Sequence, residues 1–185
     1  MYQLMNAPIL AIMTFREAEQ FLSATPIDHS QPAQWADLGC GAGLFTKVLS
    51  GRLHSGSCIY AIDKRLPSGL QTANSEVIIT PVQADFVEDD LALHGLSGML
   101  MANSLHYVKN KTALLQKLKT YLLPGAVFVI IEYDTTRANR WVPYPLPFAE
   151  LQGLFAANGF QHIIKTGERK SLYQSGKMYV SLVKG

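Results

Sequence analysis

The sequence predicts an α/β fold, in which helices cover both faces of a doubly wound, mostly parallel sheet. Residues 35–50 pass from a buried strand through a glycine-rich turn into a helix, a unit typical of such sheets. Further apolar runs of strand length then alternate with helical or polar segments. Two final alternating runs, 160–166 and 177–183, follow each other without a helix between them, so we expect an antiparallel pair at the end of the chain.

The composition favours one compact domain. Of the 185 residues, 48% are hydrophobic and 16% are charged, which suits a normal core, and the chain is too short for two full-sized domains. The net charge is only +2 and no run of lysine or arginine is present, so we expect no nucleic-acid partner. Few residues remain beyond such a domain for a large cap, so a small-molecule partner is favoured, while the oligomeric state is not predicted.

The sequence also predicts a cytoplasmic location. Met1 to Met13 has neither a basic start nor a continuous apolar stretch, so we expect no membrane association. Two cysteines fit a reducing compartment better than a disulfide framework. Five scattered histidines lack the paired spacing of a metal site, and no metal is expected.

Residues 1–34 are interpreted as an N-terminal helical cap segment that precedes a core of residues 35–185. Thr14 to Leu22 is predicted to be a helix, because Thr14 and Glu17 have the spacing of a capping box. Its apolar residues recur on one face, which is typical of a packing helix. Contact between this segment and a ligand is the alternative interpretation.

The turn from Asp37 to Gly43 is the most informative stretch, because Gly39, Gly41 and Gly43 alternate with other residues. Glycine has no Cβ, so bare peptide planes can approach a bulky ligand. A dinucleotide site needs Gly-x-Gly-x-x-Gly, and its third glycine would fall on Leu44. Asp37 adds a carboxylate at the end of the strand. A turn that merely connects a strand to a helix remains the alternative.

Two more predicted strands end at acidic residues. The strand Cys58 to Ile62 is followed by Asp63, about 20 residues beyond the turn, where a doubly wound fold brings an acidic group to a ribose. The strand of residues 76–82 is followed by Asp85 and Phe86. Each aspartate could instead cap a helix. Three acidic strand ends in this order nevertheless favour a nucleoside site.

This Asp-x-Gly-x-Gly-x-Gly pattern with its acidic strand ends resembles the class I S-adenosylmethionine-dependent methyltransferases of the small-molecule type. The resemblance implies a Rossmann-like, seven-stranded sheet in a single methyltransferase domain of residues 1–185. It implies that Asp37 helps hold the ammonium of S-adenosylmethionine, Asp63 the ribose and Asp85 the adenine amino group. The implied cofactor-binding residues are Asp37, Gly39, Cys40, Gly41, Gly43, Asp63, Lys64, Asp85, Phe86, Asn103 and Ser104. Lys64 departs from the family, which commonly has an apolar residue there.

A fourth buried strand, residues 97–102, runs into a short polar and aromatic segment, residues 103–108. This segment resembles the fourth motif of small-molecule methyltransferases, which passes beside the transferable methyl group. His106 is therefore the candidate catalytic residue, since an imidazole can take a proton from a hydroxyl or an amine. Packing against the next helix is the alternative role.

The second half of the chain is predicted to supply the acceptor side. Lys111 to Leu123 is predicted to be an amphipathic helix stopped by Pro124 and Gly125, followed by a strand of residues 126–131. Residues 135–147 form an irregular loop, and a helix of residues 148–158 follows. Small-molecule sites are lined largely by aromatic rings, so the candidate substrate contacts are Tyr133, Trp141 and Tyr144.

The predicted function is S-adenosylmethionine-dependent methyl transfer to a small-molecule acceptor by in-line displacement. Catalysis should come mainly from alignment and from exclusion of water. Two alternatives stay open: a methyltransferase-like subunit without activity of its own, and an NAD-dependent oxidoreductase. Leu44 and the final antiparallel pair disfavour the oxidoreductase. The sequence does not predict whether O, N, S or C is methylated.

Overall fold

A computed structural model describes residues 13–66, 70, 76–171 and 176–185. Within this part of the chain seven strands form one sheet: β1 (Gln34–Leu38), β2 (Cys58–Asp63), β3 (Ile78–Gln83), β4 (Leu96–Ala102), β5 (Leu122–Asp134), β6 (His162–Lys170) and β7 (Lys177–Lys184). The helices are α1 (Phe15–Leu22), α2 (Leu44–Ser50), α3 (Lys111–Lys119) and α4 (Phe148–Ala157), with a 3-10 turn at Leu105–Tyr107. The predicted seven-stranded α/β fold is confirmed.

The strands lie in the order β3-β2-β1-β4-β5-β7-β6. Neighbours among β1 to β5 are parallel, whereas β7 is antiparallel to both β5 and β6. The predicted antiparallel ending is therefore confirmed, with β7 inside the sheet and β6 at its edge. From β3 at the opposite edge the chain returns to β4 beside β1, so the strand order reverses between β1 and β4. Ligands of open α/β sheets bind at the carboxyl ends of the strands at such a reversal.

Two apolar cores cover the sheet, one on each face, as a doubly wound fold requires. Alternate residues of β4 point into different cores: Leu100 joins the core under α1 and α2, while Met99 and Met101 join the core under α3 and α4. This is why the strand is apolar throughout rather than at every second position. Gly98 is also required, because a Cβ there would lie 2.5 Å from the Trp35 ring of β1.

Helix α1 begins at the predicted capping box. The Thr14 hydroxyl oxygen accepts a hydrogen bond from the Glu17 backbone at 3.3 Å, and the Glu17 carboxylate accepts one from the Thr14 backbone at 2.8 Å. The helix buries Ala18, Phe21 and Leu22. Residues 1–12 lie outside the described residues, so the cap role of the N-terminal segment stays a prediction.

The predicted end of helix α3 is wrong. The helix ends at Lys119 rather than Leu123, and Leu122 already pairs with Leu96 of β4. Pro124 and Gly125 therefore lie inside β5, in an exposed stretch beside a register shift of the β4–β5 ladder. Proline is tolerated at such an irregularity because it interrupts no regular ladder bond. The strand partner, rather than the breaker residues, decides where the helix stops.

Two connecting segments lie in the sequence before and after β3. Residues 87–94 form turns and irregular structure, without a helix. The sequence also predicts a helical segment that opens with Pro67 and precedes the strand of residues 76–82; apart from residue 70, this segment lies outside the described residues. Among the described residues no helix has both the length and the apolar character needed to cross a bilayer.

Candidate active site

The glycine turn has a backbone conformation that other residues rarely adopt. Gly39, Gly41 and Gly43 have φ angles of +80°, +52° and +77°. The backbone N–H groups of Gly39 and Cys40 both donate to the carbonyl of Ile62, at 2.8 and 3.0 Å, which ties the turn to β2. A Cβ at Gly39 would lie 2.5 Å from Ser104 Cβ. The turn thus needs glycine for its conformation and for its close approach to the segment after β4.

Asp63 fixes the other side of the turn. Its Oδ2 accepts a hydrogen bond from the Gly41 backbone at 2.9 Å, and its Oδ1 accepts one from the Arg65 backbone at 3.0 Å. An ionised carboxylate has about four acceptor positions, of which the described residues use these two. The structure therefore places the predicted ribose carboxylate where it both holds the turn and faces open space.

A cleft of about 470 Å³ lies at the carboxyl ends of β1, β2 and β4. It brings together seven of the predicted cofactor residues: Gly39, Asp63, Lys64, Asp85, Phe86, Asn103 and Ser104. Val87, Tyr107 and Val108 also line it. Tyr107 and Val108 belong to the segment predicted to pass beside the methyl group, but none of the three was predicted individually as a cofactor contact. Tyr107 could have been found, because an aromatic residue just after the end of a central strand stands at the ligand-binding edge.

Asp37 lies below the turn rather than on the wall of the cleft. Its side chain is buried, and its Oδ2 accepts a hydrogen bond of 2.5 Å from the Thr46 hydroxyl on α2. Burial raises the pKa of Asp37 to about 7, and nearby Asp63 adds to this, while the Thr46 hydrogen bond acts in the opposite direction. The sequence analysis missed Thr46, because only the packing of α2 on β1 brings the two residues together.

Four buried side-chain atoms of the described residues have no hydrogen-bond partner: Asp37 Oδ1, Asn103 Oδ1, Ser104 Oγ and Ser181 Oγ. Three of them lie at the ends of β1 and β4, beside the glycine turn. Leaving a buried acceptor unpaired costs about 1–3 kcal/mol, so such atoms are rare and point to a missing partner. Asn103 also has a positive φ of +55°. Three unpaired polar atoms thus lie close together beside the glycine turn.

Lys64 forms an ion pair with Asp85, another residue that lines the cleft. Its Nζ lies 2.7 Å from Asp85 Oδ2, while Asp85 Oδ1 accepts from the Val87 backbone at 3.0 Å. Burial pushes the pKa of Asp85 upwards, but the hydrogen bonds from Lys64 and Val87 outweigh it and hold that pKa below its ordinary value. The Asp85 oxygen predicted to meet adenine is thus already paired with a lysine.

Three other predicted cofactor residues do not line the cleft. Burial raises the pKa of the Cys40 thiol to about 12, so it is a neutral group within the turn. A Cβ on Gly43 would lie 1.8 Å from the Leu70 side chain, so close packing against Leu70 explains why this position is a glycine. A Cβ on Gly41 would meet nothing within 4 Å, so its peptide faces open space.

His106 is buried next to the cleft and is paired with a residue that the sequence analysis did not connect with it. Its Nδ1 lies 2.7 Å from Glu132 Oε2, and its backbone N–H donates to Glu132 Oε1 at 3.0 Å. The exposed fractions of the two side chains are 2% and 0%. Glu132 ends a run of apolar strand residues, and only the β4–β5 pairing shows that it faces His106.

Two of the three predicted substrate residues, Tyr133 and Tyr144, contact His106, whereas Trp141 is not among the ring or hydrogen-bond contacts of His106 with the described residues. Tyr133 is buried, with its ring centroid 5.8 Å from that of His106. Trp141 is 70% exposed and lies against Arg140. Tyr144 lines a second cavity of about 620 Å³, which shares Tyr107 with the cleft. Their role as substrate contacts stays a prediction.

Comparison with known proteins agrees with this geometry. A family model described as a methyltransferase domain matches residues 13–166. Among solved structures, the chain resembles the 1,6-didemethyltoxoflavin N1-methyltransferase of Burkholderia thailandensis, which contains bound 1,6-didemethyltoxoflavin and S-adenosylhomocysteine. The TM-score is 0.67 at 20% identity, over 92% of this chain and 77% of that one. No curated protein sequence matches the chain significantly.

Two further solved structures show the same fold. A SAM-dependent methyltransferase from Archaeoglobus fulgidus gives a TM-score of 0.69 at 13% identity, over 93% of this chain and 95% of that one. A proposed O-methyltransferase from Nostoc punctiforme gives 0.64 at 18% identity; 94% of this chain is covered, but only 57% of that longer chain. Because the family model covers most of its length, the chain belongs to the methyltransferase-domain family and is an S-adenosylmethionine-dependent methyltransferase.

Proposed function

We propose that the chain methylates a small-molecule acceptor by in-line displacement, with S-adenosylmethionine held at the glycine turn. The observation that carries the proposal is the cleft in which the bare peptide of Gly39 lies beside the Asp63 carboxylate, with Asp37 buried under the same turn. When bound, S-adenosylmethionine supplies a methyl group on a sulfonium, whose sulfur leaves as a neutral thioether. The two carboxylates suit a ligand that carries an ammonium and several hydroxyl groups.

The wall of the cleft suits a nucleoside. Its volume lies within the roughly 300–1,000 Å³ of small-molecule sites. Asp63 retains acceptor positions for ribose hydroxyls, while Phe86 and Tyr107 offer apolar and aromatic surface for a purine. Asp85 would accept the adenine amino group once Lys64 has moved away. These residues orient a cofactor without supplying reactive groups.

The residues of the chain contribute alignment, exclusion of water and a place for a proton. A neutral leaving group develops little charge, so no strong electrostatic stabilisation of the leaving atom is needed. His106 is the candidate base because it carries an imidazole and directly precedes Tyr107, which lines the cleft. The small-molecule class of acceptor is supported by the absence of a basic stripe in the sequence and by the Burkholderia neighbour, which binds a small heteroaromatic compound.

The proposal is tested in two steps. Calorimetry with S-adenosylhomocysteine should show binding at micromolar concentration, and absence of binding at millimolar concentration would refute the cofactor site. Release of S-adenosylhomocysteine is then measured with catechol, which offers O–H, and with 1,6-didemethyltoxoflavin, which offers N–H. Turnover with either compound supports a small-molecule enzyme. Tight binding without turnover on these and on a wider set of phenols and azoles favours the subunit alternative.

A further inference from the structure

We propose that Glu132 is the positioning residue of His106, and that it holds the imidazole in the tautomer whose Nε2 carries the free lone pair. The inference rests on the proposed function and deepens it, because it states how the candidate base is prepared to receive a proton. It also explains why a carboxylate is kept at a fully buried position of β5.

The two contacts made by the Glu132 carboxylate carry the argument. Oε1 accepts from the backbone N–H of His106 at 3.0 Å and Oε2 faces the ring Nδ1 at 2.7 Å. In the proposed state Glu132 is ionised, and because an ionised carboxylate only accepts hydrogen bonds, Nδ1 carries the hydrogen. Because both side chains are excluded from solvent, water does not compete for these bonds. One residue thus fixes both the backbone and the ring of His106.

His106 is packed between aromatic side chains and is held at its backbone. The Tyr107 and Tyr133 rings lie against it, with centroids at 4.3 and 5.8 Å. The Tyr144 backbone N–H donates to the His106 carbonyl at 3.0 Å. Because Nδ1 faces Glu132, Nε2 is the other ring nitrogen, and in the proposed tautomer it is the one that accepts a proton.

The chemistry needs this tautomer. The proton that an acceptor O–H or N–H loses, as its oxygen or nitrogen bonds to the methyl carbon, passes to Nε2. The electron pair of the breaking carbon–sulfur bond stays on sulfur. His106 becomes an imidazolium next to the Glu132 carboxylate, so the new charge is paired inside the protein. A buried imidazolium without such a partner is strongly disfavoured.

The substitution Glu132→Gln tests the proposal with almost no change of shape. The amide oxygen of the new side chain still accepts from the His106 backbone, but its amide nitrogen only donates, so Nδ1 must become the acceptor and Nε2 must carry the hydrogen. Nitrogen-15 NMR, at a pH at which the ring is neutral, should show Nδ1–H in the wild type and Nε2–H in the variant. This measurement needs neither a cofactor nor an acceptor.

Turnover supplies the second readout. With catechol or 1,6-didemethyltoxoflavin, Glu132→Gln should lower kcat at least tenfold, while the affinity for S-adenosylhomocysteine stays within twofold. Glu150→Gln, on the exposed first turn of α4, is the matched control and should change neither readout. If Glu132→Gln does not fold, His106→Asn keeps a donor towards Glu132 and should show the same loss of kcat.

Two results would overturn the inference. One is an Nε2–H tautomer in the wild type, which is measurable whether or not any variant folds. The other is a switched tautomer in Glu132→Gln with kcat within twofold of the wild type, which would return the pair to a purely structural role. Either result leaves the proposed function intact if the wild type binds S-adenosylhomocysteine, so the two failures are distinguishable.

Discussion

The glycine turn and the His106–Glu132 pair lie at the same edge of the sheet but differ in how their polar groups are satisfied. At the turn, bare backbone faces the cleft and the buried Asp37 Oδ1 is unpaired. His106 and Glu132 instead pair with each other in the apolar interior. Binding and proton transfer thus place different demands on the same sheet edge.

Among the substitutions that test this contrast, Gly39→Ala is expected to have the largest effect. Gly39→Ala adds a Cβ 2.5 Å from Ser104 Cβ at a φ of +80°. Overpacking costs about 1–3 kcal/mol and the left-handed conformation about 1–2 kcal/mol. We expect a clear fall in the urea midpoint and at least a hundredfold loss of S-adenosylhomocysteine affinity in calorimetry.

Gly95→Ala is the control for Gly39→Ala. Gly95 has a similar φ of +68°, but a Cβ there meets nothing within 4 Å. Gly95→Ala should therefore lose only the stability that the left-handed backbone conformation costs, and its affinity for S-adenosylhomocysteine should be unchanged. Equal losses in the two variants would contradict the close approach between the turn and Ser104.

Asp63 should give the next largest effect. Asp63→Ala removes the predicted ribose acceptor and also frees the backbone N–H groups of Gly41 and Arg65. Hydrogen bonds to a charged group contribute about 1.5–3 kcal/mol, so calorimetry should show S-adenosylhomocysteine affinity at least tenfold lower. Asp28→Ala, which removes an exposed carboxylate bonded to the Ser30 backbone, is the control. Unchanged affinity in Asp63→Ala would remove the ribose assignment.

The buried Asp37 predicts a pH dependence of binding. Its pKa is about 7, so the carboxylate that suits an ammonium ligand becomes populated as the pH rises. Affinity for S-adenosylhomocysteine should increase about tenfold from pH 6 to pH 8. Cys40 stays neutral over this range because its pKa is raised to about 12. Asp37→Asn should bind with a flat pH profile, and a steep profile in that variant would assign the dependence to another group, with Asp63 the nearest.

The same pKa gives the sign of the stability change without ligand. The native state keeps the Asp37 proton to higher pH than the unfolded chain, whose value is near 3.8. The free energy of unfolding therefore loses its Asp37 contribution as the pH rises from about 4 to about 7. Urea unfolding at several pH values should show this fall in the wild type and a weaker one in Asp37→Asn.

The smallest effect is expected at Lys64. In Lys64→Met an apolar side chain of similar length replaces the lysine, so Asp85 is free to meet the adenine amino group. An exposed ion pair contributes about 0–1 kcal/mol, so affinity for S-adenosylhomocysteine should rise two- to fivefold, about what that range allows. Lys109→Met, in the adjoining cavity, should leave affinity unchanged. Weaker binding by Lys64→Met would show that the lysine itself contacts the cofactor.

Much of the fold was predictable because its signals are local. The capping box at Thr14, the apolar strands and the positive φ of Gly39 each depend on a few neighbouring residues. The end of α3 was not predictable from local signals, because the pairing of Leu122 with Leu96 overrides the helix-breaking effect of Pro124. A local secondary-structure propensity is overridden where the segment can pair with a neighbouring strand.

The sequence by itself determined the order of strands and helices, the glycine turn and the acidic strand ends, since these follow from sterics and hydrophobic periodicity. Only the tertiary structure decided that Asp37 is buried, that Lys64 reaches Asp85, and that residues 106 and 132, 26 positions apart, share a proton site. The physical reason is that desolvation and long-range pairing depend on which strands become neighbours, and sequence spacing does not encode that distance.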